Sequence, residues 1–255
     1  MTIKHSGFSL LELSIVLVII GLIAGGIVTG SSMIRAAELR AITTEFNQYQ
    51  TAVHTFRDKY LGLPGDLKNA TAFWGAEPAA NCPGDDTTPS TSTATCDGDG
   101  DGNLDSIISG EPFRFWQHLA NAELIAGSFT GVTGPGGSEN AIFGENTPTS
   151  KFSGAGWGVG HTPSFSGNAF FFDGAYHNYM TVGSPHPTGQ TSALLQPEEM
   201  WNIDVKQDDG KPGQGKIVTV NYSDCSDAAD STDISADYAL TSEFLSCHPA
   251  FLNVF

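Results

Sequence analysis

Residues Gly7 to Gly30, GFSLLELSIVLVIIGLIAGGIVTG, form an apolar run that goes on without a charged residue from Leu13 to Ile34. A helix rises about 1.5 Å per residue, so such a run covers roughly 30 Å, the thickness of a bilayer's hydrocarbon core. The stretch is therefore long enough to cross a membrane, and the rest of the chain has to be built around that. Lys4, ahead of the run, holds the first residues in the cytoplasm and sends the bulk of the chain across. Glu12 does not fit a plain spanning helix, because a carboxylate at membrane depth costs about 2.5–3.5 kcal/mol on insertion scales. It calls for a partner or a task.

A secretory signal peptide also has a basic start and an apolar stretch, and it is cut after that stretch at small residues such as Ala24-Gly25-Gly26. Against that reading, the run is long, contains an acid and continues without a break into more helix. A plain transmembrane anchor leaves the placing of Gly7, Phe8 and Glu12 without a reason. Gly7-Phe8-Ser9-Leu10-Leu11-Glu12 resembles the processing site of type IV pilins and of the pseudopilins of type II secretion systems. The resemblance implies cleavage after Gly7 by a membrane-embedded prepilin peptidase and N-methylation of the new terminus at Phe8. It also implies assembly with other pilin or pseudopilin subunits, Glu12 pairing with the Phe8 amine of a neighbour. The expected location is the bacterial inner membrane, single-pass with the head in the periplasm, and then a filament.

On this reading residues 1–7 are a leader, 8–60 an N-terminal helix with its transmembrane half at 8–30, and 61–255 a single head. A net charge of −17 with only 11 Lys plus Arg excludes nucleic acid and anionic lipid as partners, since neutralising phosphates takes a basic face. Thirty Gly and thirteen Pro predict a loop-rich head with short regular elements. Four cysteines in an exported chain read as two disulfides with three possible connectivities, the pairs near in sequence, Cys82 with Cys96 and Cys225 with Cys247, being expected. Each closure is worth roughly 3 kcal/mol if unstrained.

Gly21, Gly25, Gly26 and Gly30 weaken the spanning helix by about 1 kcal/mol each relative to Ala in water, which suits close packing or local unwinding. Beyond Arg35 the apolar residues Leu39, Ile42, Phe46, Tyr49, Val53, Phe56 and Tyr60 recur at spacings of three and four, with Glu38, Arg40, Glu45, Gln48, Gln50, Arg57 and Asp58 between them. The helix thus becomes amphipathic, although a coiled-coil seam gives the same pattern over so few heptads. In the resembled family the stripe packs on an antiparallel sheet, so the expected fold class is α+β and pilin-like, a long helix on a small sheet in a loop-rich head.

Gly62-Leu63-Pro64-Gly65 stops the helix. A short helix is predicted from Asp66, as N-cap, to Trp74, with Gly75 past its end, and another from Pro112 to Ile125 with Phe115, Trp116, Leu119, Ala122 and Ile125 inward. Residues 128–167 read as loops with aromatic anchors, and Asp173-Gly174 as the turn of a hairpin between Ala169–Phe172 and Tyr176–Val182. A helix from Pro197 to Lys206 and a strand from Lys216 to Tyr222 follow. The segments Ile203 to Pro212 and Leu63 to Asp66 are similar to stretches of large pilin-like proteins.

Asp97, Asp99, Asp101, Asn103 and Asp105 stand at alternate positions, with Gly102 at the sixth and the apolar Leu104 at the eighth, as in the first nine positions of an EF-hand calcium loop. Position twelve is Ile108 where a bidentate Glu is expected, the next acid being Glu111, and no entering helix is predicted. Calcium, in a structural role, competes with a solvated acidic turn. Gly210 to Lys216 has the spacing of a phosphate-binding loop but lacks its Ser or Thr and its following helix, so nucleotide binding is not expected. The seven His form no metalloprotease motif and read as surface or packing residues; no enzyme is expected. A structural filament subunit, a minor pilin or pseudopilin, is the first reading, and a filament-displayed adhesin or substrate-binding module the alternative, with a tethered hydrolase third.

Overall fold

In the computed structural model, residues 9–82, 87–90, 92–105, 110–167, 170–220 and 222–255 are described, with Val28 and Tyr222 as backbone only. The chain divides into two compact units, Met1–Arg40 and Ala41–Phe255. Helix α1, Leu10–Tyr60, contributes to both.

Within the second unit, α1 lays the expected stripe on a core: Ile42, Val53 and Phe56 are fully buried. It ends where Leu61 takes a positive φ of 59°, ahead of Pro64 and Gly65. The sheet comprises β1 (Gly156–Thr162), β2 (His177–Pro185), β3 (Thr191–Ser192), β4 (Ile217–Thr219) and β5 (Pro249–Leu252). Their order is β1-β2-β5-β4, with β3 on the end of β2, and every pairing is antiparallel. Register puts Val159, Met180, Phe251 and Ile217 in one cross-strand row. That face meets α1, with Phe46 stacked on Phe251 at 4.2 Å and Tyr49 edge-on to Trp157 at 5.4 Å. The expected α+β architecture, a long helix on a small antiparallel sheet, is the one observed.

Helices α2 (Ala70–Trp74), α3 (Glu111–Asn121), α4 (Pro197–Gln207) and α5 (Tyr222–Cys225) surround this layer, with one turn of 3-10 helix at Ala79–Asn81. Both expected disulfides form, Cys82–Cys96 and Cys225–Cys247.

Several local expectations need correction. Asp66 does not cap α2, which begins four residues later behind Asn69; its carboxylate is turned to the acidic loop instead. Helix α3 stops before Ile125 because Glu123 adopts a left-handed φ of 60°. Within 128–167 lies β1, whose Gly-Trp-Gly-Val-Gly alternation puts large side chains on the α1 face and glycines on the other. The hairpin partner of β2 is this strand, not the stretch before Asp173-Gly174, of which Ala169 lies outside the described residues. The strand near 216 is shorter than expected, and Tyr222 opens α5. Glu45 is buried rather than on the polar side, since it stands three residues after Ile42 and four before Tyr49 on the inward stripe. It accepts hydrogen bonds from the Ser150 hydroxyl at 2.6 Å, the Lys151 N–H at 2.7 Å and the Trp157 indole at 2.9 Å.

Candidate functional site

The first described residues explain how Glu12 is tolerated. The Ser9 N–H donates to the Glu12 carboxylate at 2.8 Å, and the Leu11 N–H donates to Ser9 Oγ at 3.1 Å. The two side chains thus form a capping box on the open N–H groups at the start of α1. The partner that Glu12 calls for is, in the single chain, its own helix terminus, and Ser9-Leu10-Leu11-Glu12 is the S-x-x-E pattern of such a cap. Gly7 and Phe8 lie outside the described residues.

Beyond the cap, the large apolar side chains from Leu10 to Ile27 are all at least half exposed, on every side of the helix. A helix apolar all round needs lipid or other helices about it. By length and composition it can cross a membrane. Its hydroxyls close on the helix backbone, Ser14 donating to the Leu11 carbonyl at 2.8 Å, Thr29 to Gly25 at 3.1 Å and Ser32 to Thr29 at 2.9 Å. At Gly21, Gly25, Gly26 and Gly30 the helix continues unbroken, and a Cβ at any of them would meet nothing within 4 Å.

A family model described as the prokaryotic N-terminal methylation motif matches residues 3–28. The chain carries a prepilin-type signal. No curated protein and no solved structure matches it. The prepilin-type signal implies processing by a prepilin peptidase and assembly with other pilins, and together with the apolar helix it points to membrane anchoring and to a structural rather than a catalytic protein.

Apart from the prepilin-type segment, the residues expected to hold calcium are only partly brought together. Asp97 is turned to α2, accepting the Thr71 N–H at 2.8 Å and its hydroxyl at 3.1 Å. Asp99 accepts the Asp101 N–H at 3.0 Å, and Asp101 the Asn103 N–H at 2.7 Å and amide at 2.8 Å, so the loop is a succession of Asx turns. Two buried acids from elsewhere close on it. Asp66 accepts the N–H groups of Gly100 and, at 2.8 Å, Gly102, while Glu111 accepts the Asp105 N–H at 2.9 Å. One carboxylate oxygen each of Asp66, Asp99 and Glu111 lies within 4.8 Å of the others. Burial raises the Asp66 carboxyl above its usual range, the Gly102 and Gly100 N–H groups opposing and the Asp99 and Asp101 charges adding to the rise. Sequence spacing missed Asp66, thirty-odd residues upstream of the loop, although Gly98 gives a sign of it: a Cβ there would strike the Asp66 backbone.

Gly210 to Lys216, the stretch with the phosphate-loop spacing, is held by carboxylates of the preceding segment that begins at Ile203. Asp204, fully buried, accepts the Tyr238 hydroxyl at 2.7 Å and the Gly210 N–H at 3.1 Å. Asp208 accepts the N–H groups of Lys216 and, at 2.9 Å, Ile217, folding the turn onto β4. The Gly-rich backbone here is occupied with the protein's own carboxylates.

Two of the seven histidines are packing residues that bond in the core. His118 accepts the Gly65 N–H at Nδ1, 2.9 Å, and faces the Thr95 hydroxyl at 2.9 Å through Nε2. Burial, with Arg114 nearby, pushes it down to about 3, so it is neutral.

Proposed function

We propose that the protein is a structural subunit, a minor pilin or pseudopilin, of a type IV pilus or type II secretion filament. It is cleaved after Gly7, methylated at Phe8 and assembled through its N-terminal helix, which anchors it in the inner membrane with the head in the periplasm until it enters the filament. The observation that carries this reading is the methylation motif at residues 3–28 running into a 51-residue helix whose first turns are capped by the motif's own acid. The capping box gives Glu12 a partner before assembly; in the filament the methylated amine of an adjacent Phe8 competes for the same carboxylate, and the charged pair is the stronger bond. Mass spectrometry of the mature protein should find a methylated Phe8 as its first residue, and Glu12→Gln, which keeps a capping oxygen but not the charge, should be processed yet fail to enter filaments. A mature chain beginning after the apolar run, or normal incorporation of E12Q, contradicts the proposal.

The acidic loop holds calcium in a structural role, through Asp66, Asp99 and Glu111 rather than through the full Asp97, Asp99, Asp101, Asn103 and Asp105 series. Oxygen donors from three carboxylates suit a hard cation, and two of them are buried. Millimolar calcium should raise the unfolding temperature of the protein, chelator should reverse the rise, and Asp66→Asn should abolish it; an unmoved transition removes the site.

A further inference from the structure

On the sheet face turned away from α1 lies a pocket of about 390 Å3 that neither the prepilin-type signal nor the acidic loop uses. Register pairs Gly160 of β1 with Tyr179 of β2, and alternation turns both away from α1, opposite to Val159 and Met180. His161 goes with Val159, so β1 offers the pocket backbone there and no imidazole. A Cβ at Gly160 would meet the Tyr179 hydroxyl at 3.1 Å and the ring carbon that bears it at 3.2 Å, so the phenol lies across the bare strand as a floor. One wall is Phe171, braced by Phe165 stacked on it at 3.8 Å and by Tyr176 edge-on at 5.7 Å. Phe170 also lines the pocket and is 61% exposed. The other wall is the strap of residues 186–193, which Asn140 ties down by donating to the carbonyls of His186 at 3.3 Å and Pro187 at 3.1 Å. The walls are held in place before any ligand arrives.

The charges and polar atoms that remain decide what fits. Among the described residues that line the pocket, Glu139 at the rim is the one carboxylate, and there is no Lys or Arg. Burial, with His186 beside it, pushes His248 down to about 4, so it carries no charge near neutral pH. Burial also pushes the Tyr179 phenol up to about 12, the Thr162 hydroxyl opposing and the Glu139 charge adding to the rise, so the floor stays a neutral ring with an anion near it. The strap spends its polar groups on the protein. Gln190 clasps both the N–H and the C=O of Val159, at 2.8 and 2.7 Å, and Thr191 bonds to His248 at 2.7 Å and to Thr181 at 2.8 Å. His186 Nδ1 accepts the N–H groups of Gly189 at 2.7 Å and Thr188 at 3.2 Å. A primary ammonium, with three N–H bonds to place, would find few acceptors here, and an anion would find no cation.

We propose that this pocket binds a quaternary ammonium group, its methyl groups resting on the Tyr179 and Phe171 rings and its charge answered by Glu139. Such a cation makes no hydrogen bonds, so the engaged strap costs it nothing, and the electron-rich faces of aromatic rings attract it. The field of a chain of net charge −17 draws cations toward the rim. The volume is in the range of small-ligand sites. The inference does not rest on the subunit reading, and either can fail alone.

The test uses the full chain, with 13C in its tyrosine and phenylalanine rings, in a maltoside detergent at low salt. It is titrated with choline, with 3,3-dimethyl-1-butanol, which has choline's shape without its charge, and with acetate. Choline should shift the ring signals of Tyr179 and Phe171 saturably at millimolar concentration, those of the exposed Phe73 on α2 staying still. It should bind at least about fivefold more tightly than the neutral alcohol. Phe171→Leu should weaken choline binding at least about fivefold, and Glu139→Gln at least about twofold. Glycerophosphocholine separates the sources of such a group: binding weaker than choline's assigns a free cation, equal or tighter binding a lipid headgroup. The proposal is overturned if choline moves neither ring, if the alcohol or acetate binds as tightly as choline, or if both variants bind choline unchanged. Should Phe171→Leu not fold, the exposed Glu139→Gln and the comparison with the alcohol decide.

Discussion

At the scale of single residues, the buried acids Glu45, Asp66 and Asp204 take hydrogen bonds from neutral donors, and the last of them has a consequence for pH. Burial pushes the Asp204 carboxyl up to about 7, although Tyr238 and the Gly210 N–H lower it, and Asp209 and Asp208 add to the rise. In the unfolded chain the group titrates at about 4. Between these values the folded state keeps a proton that the unfolded state has lost, so this group's contribution to stability falls as pH rises from about 4 to about 7 and is flat above. The neutral histidines His118 and His248, pushed down to about 3 and about 4, act in the other direction, and their contribution is lost as pH falls below about 6.5. Comparison with Asp204→Asn separates the two effects. The stability advantage of the native chain over D204N should be largest near pH 4–5 and shrink toward pH 8, by on the order of a few kcal/mol, in denaturant titrations across that range. A difference independent of pH would mean that Asp204 is ionised in the fold throughout.

At the scale of elements, β2 and β3 meet where there is no room for a side chain. A Cβ on Gly183 would run into the carbonyl of Ser192, with its nitrogen at 2.9 Å and Thr191 Cβ at 3.0 Å. The two Ser192 atoms are backbone and cannot turn aside, so Gly183→Ala should cost about 1–3 kcal/mol. The loss would appear as a lower unfolding temperature and faster amide exchange along 190–192. The same feature shows why the sheet was hard to read in the sequence. The α1 stripe from Ile42 to Phe56 and its stop at Pro64 were plain, because periodicity and helix breakers are local signals. By contrast, β1 puts glycine at every second position, so Gly156-Trp157-Gly158-Val159-Gly160 looks like loop until Gln190, Thr181 and Tyr179 are seen filling the gaps. Strands β3, β4 and β5 are too short to show an alternation. Within the candidate sites, the motif around Gly7, Phe8 and Glu12 was legible from its spacing and the cysteine pairs from their nearness. The approach of Asp66 and Glu111 to Asp99 was not, since it depends on α3 and the turn after α1 coming together in space.

At the scale of the whole molecule, two kinds of surface are joined in one chain. The helix from Leu10 to Ile27 exposes only what lipid or like helices can cover, while Ala41–Phe255 buries its own core. The full chain should therefore stay with membranes after an alkaline wash, and a chain beginning at residue 31 should be released into the aqueous fraction. Retention of the shortened chain would point to a second attachment in the head. Within that head, β5 lies between β2 and β4 although it follows both in sequence, and Cys247, bridged to Cys225, stands two residues before it. A chain threaded outward from its anchored start would thus wait with two raw strand edges, open to any passing backbone, until its keystone emerges. On that route the Cys225–Cys247 bond would lock the keystone in register, and β5 would set the moment at which the head becomes safe to crowd.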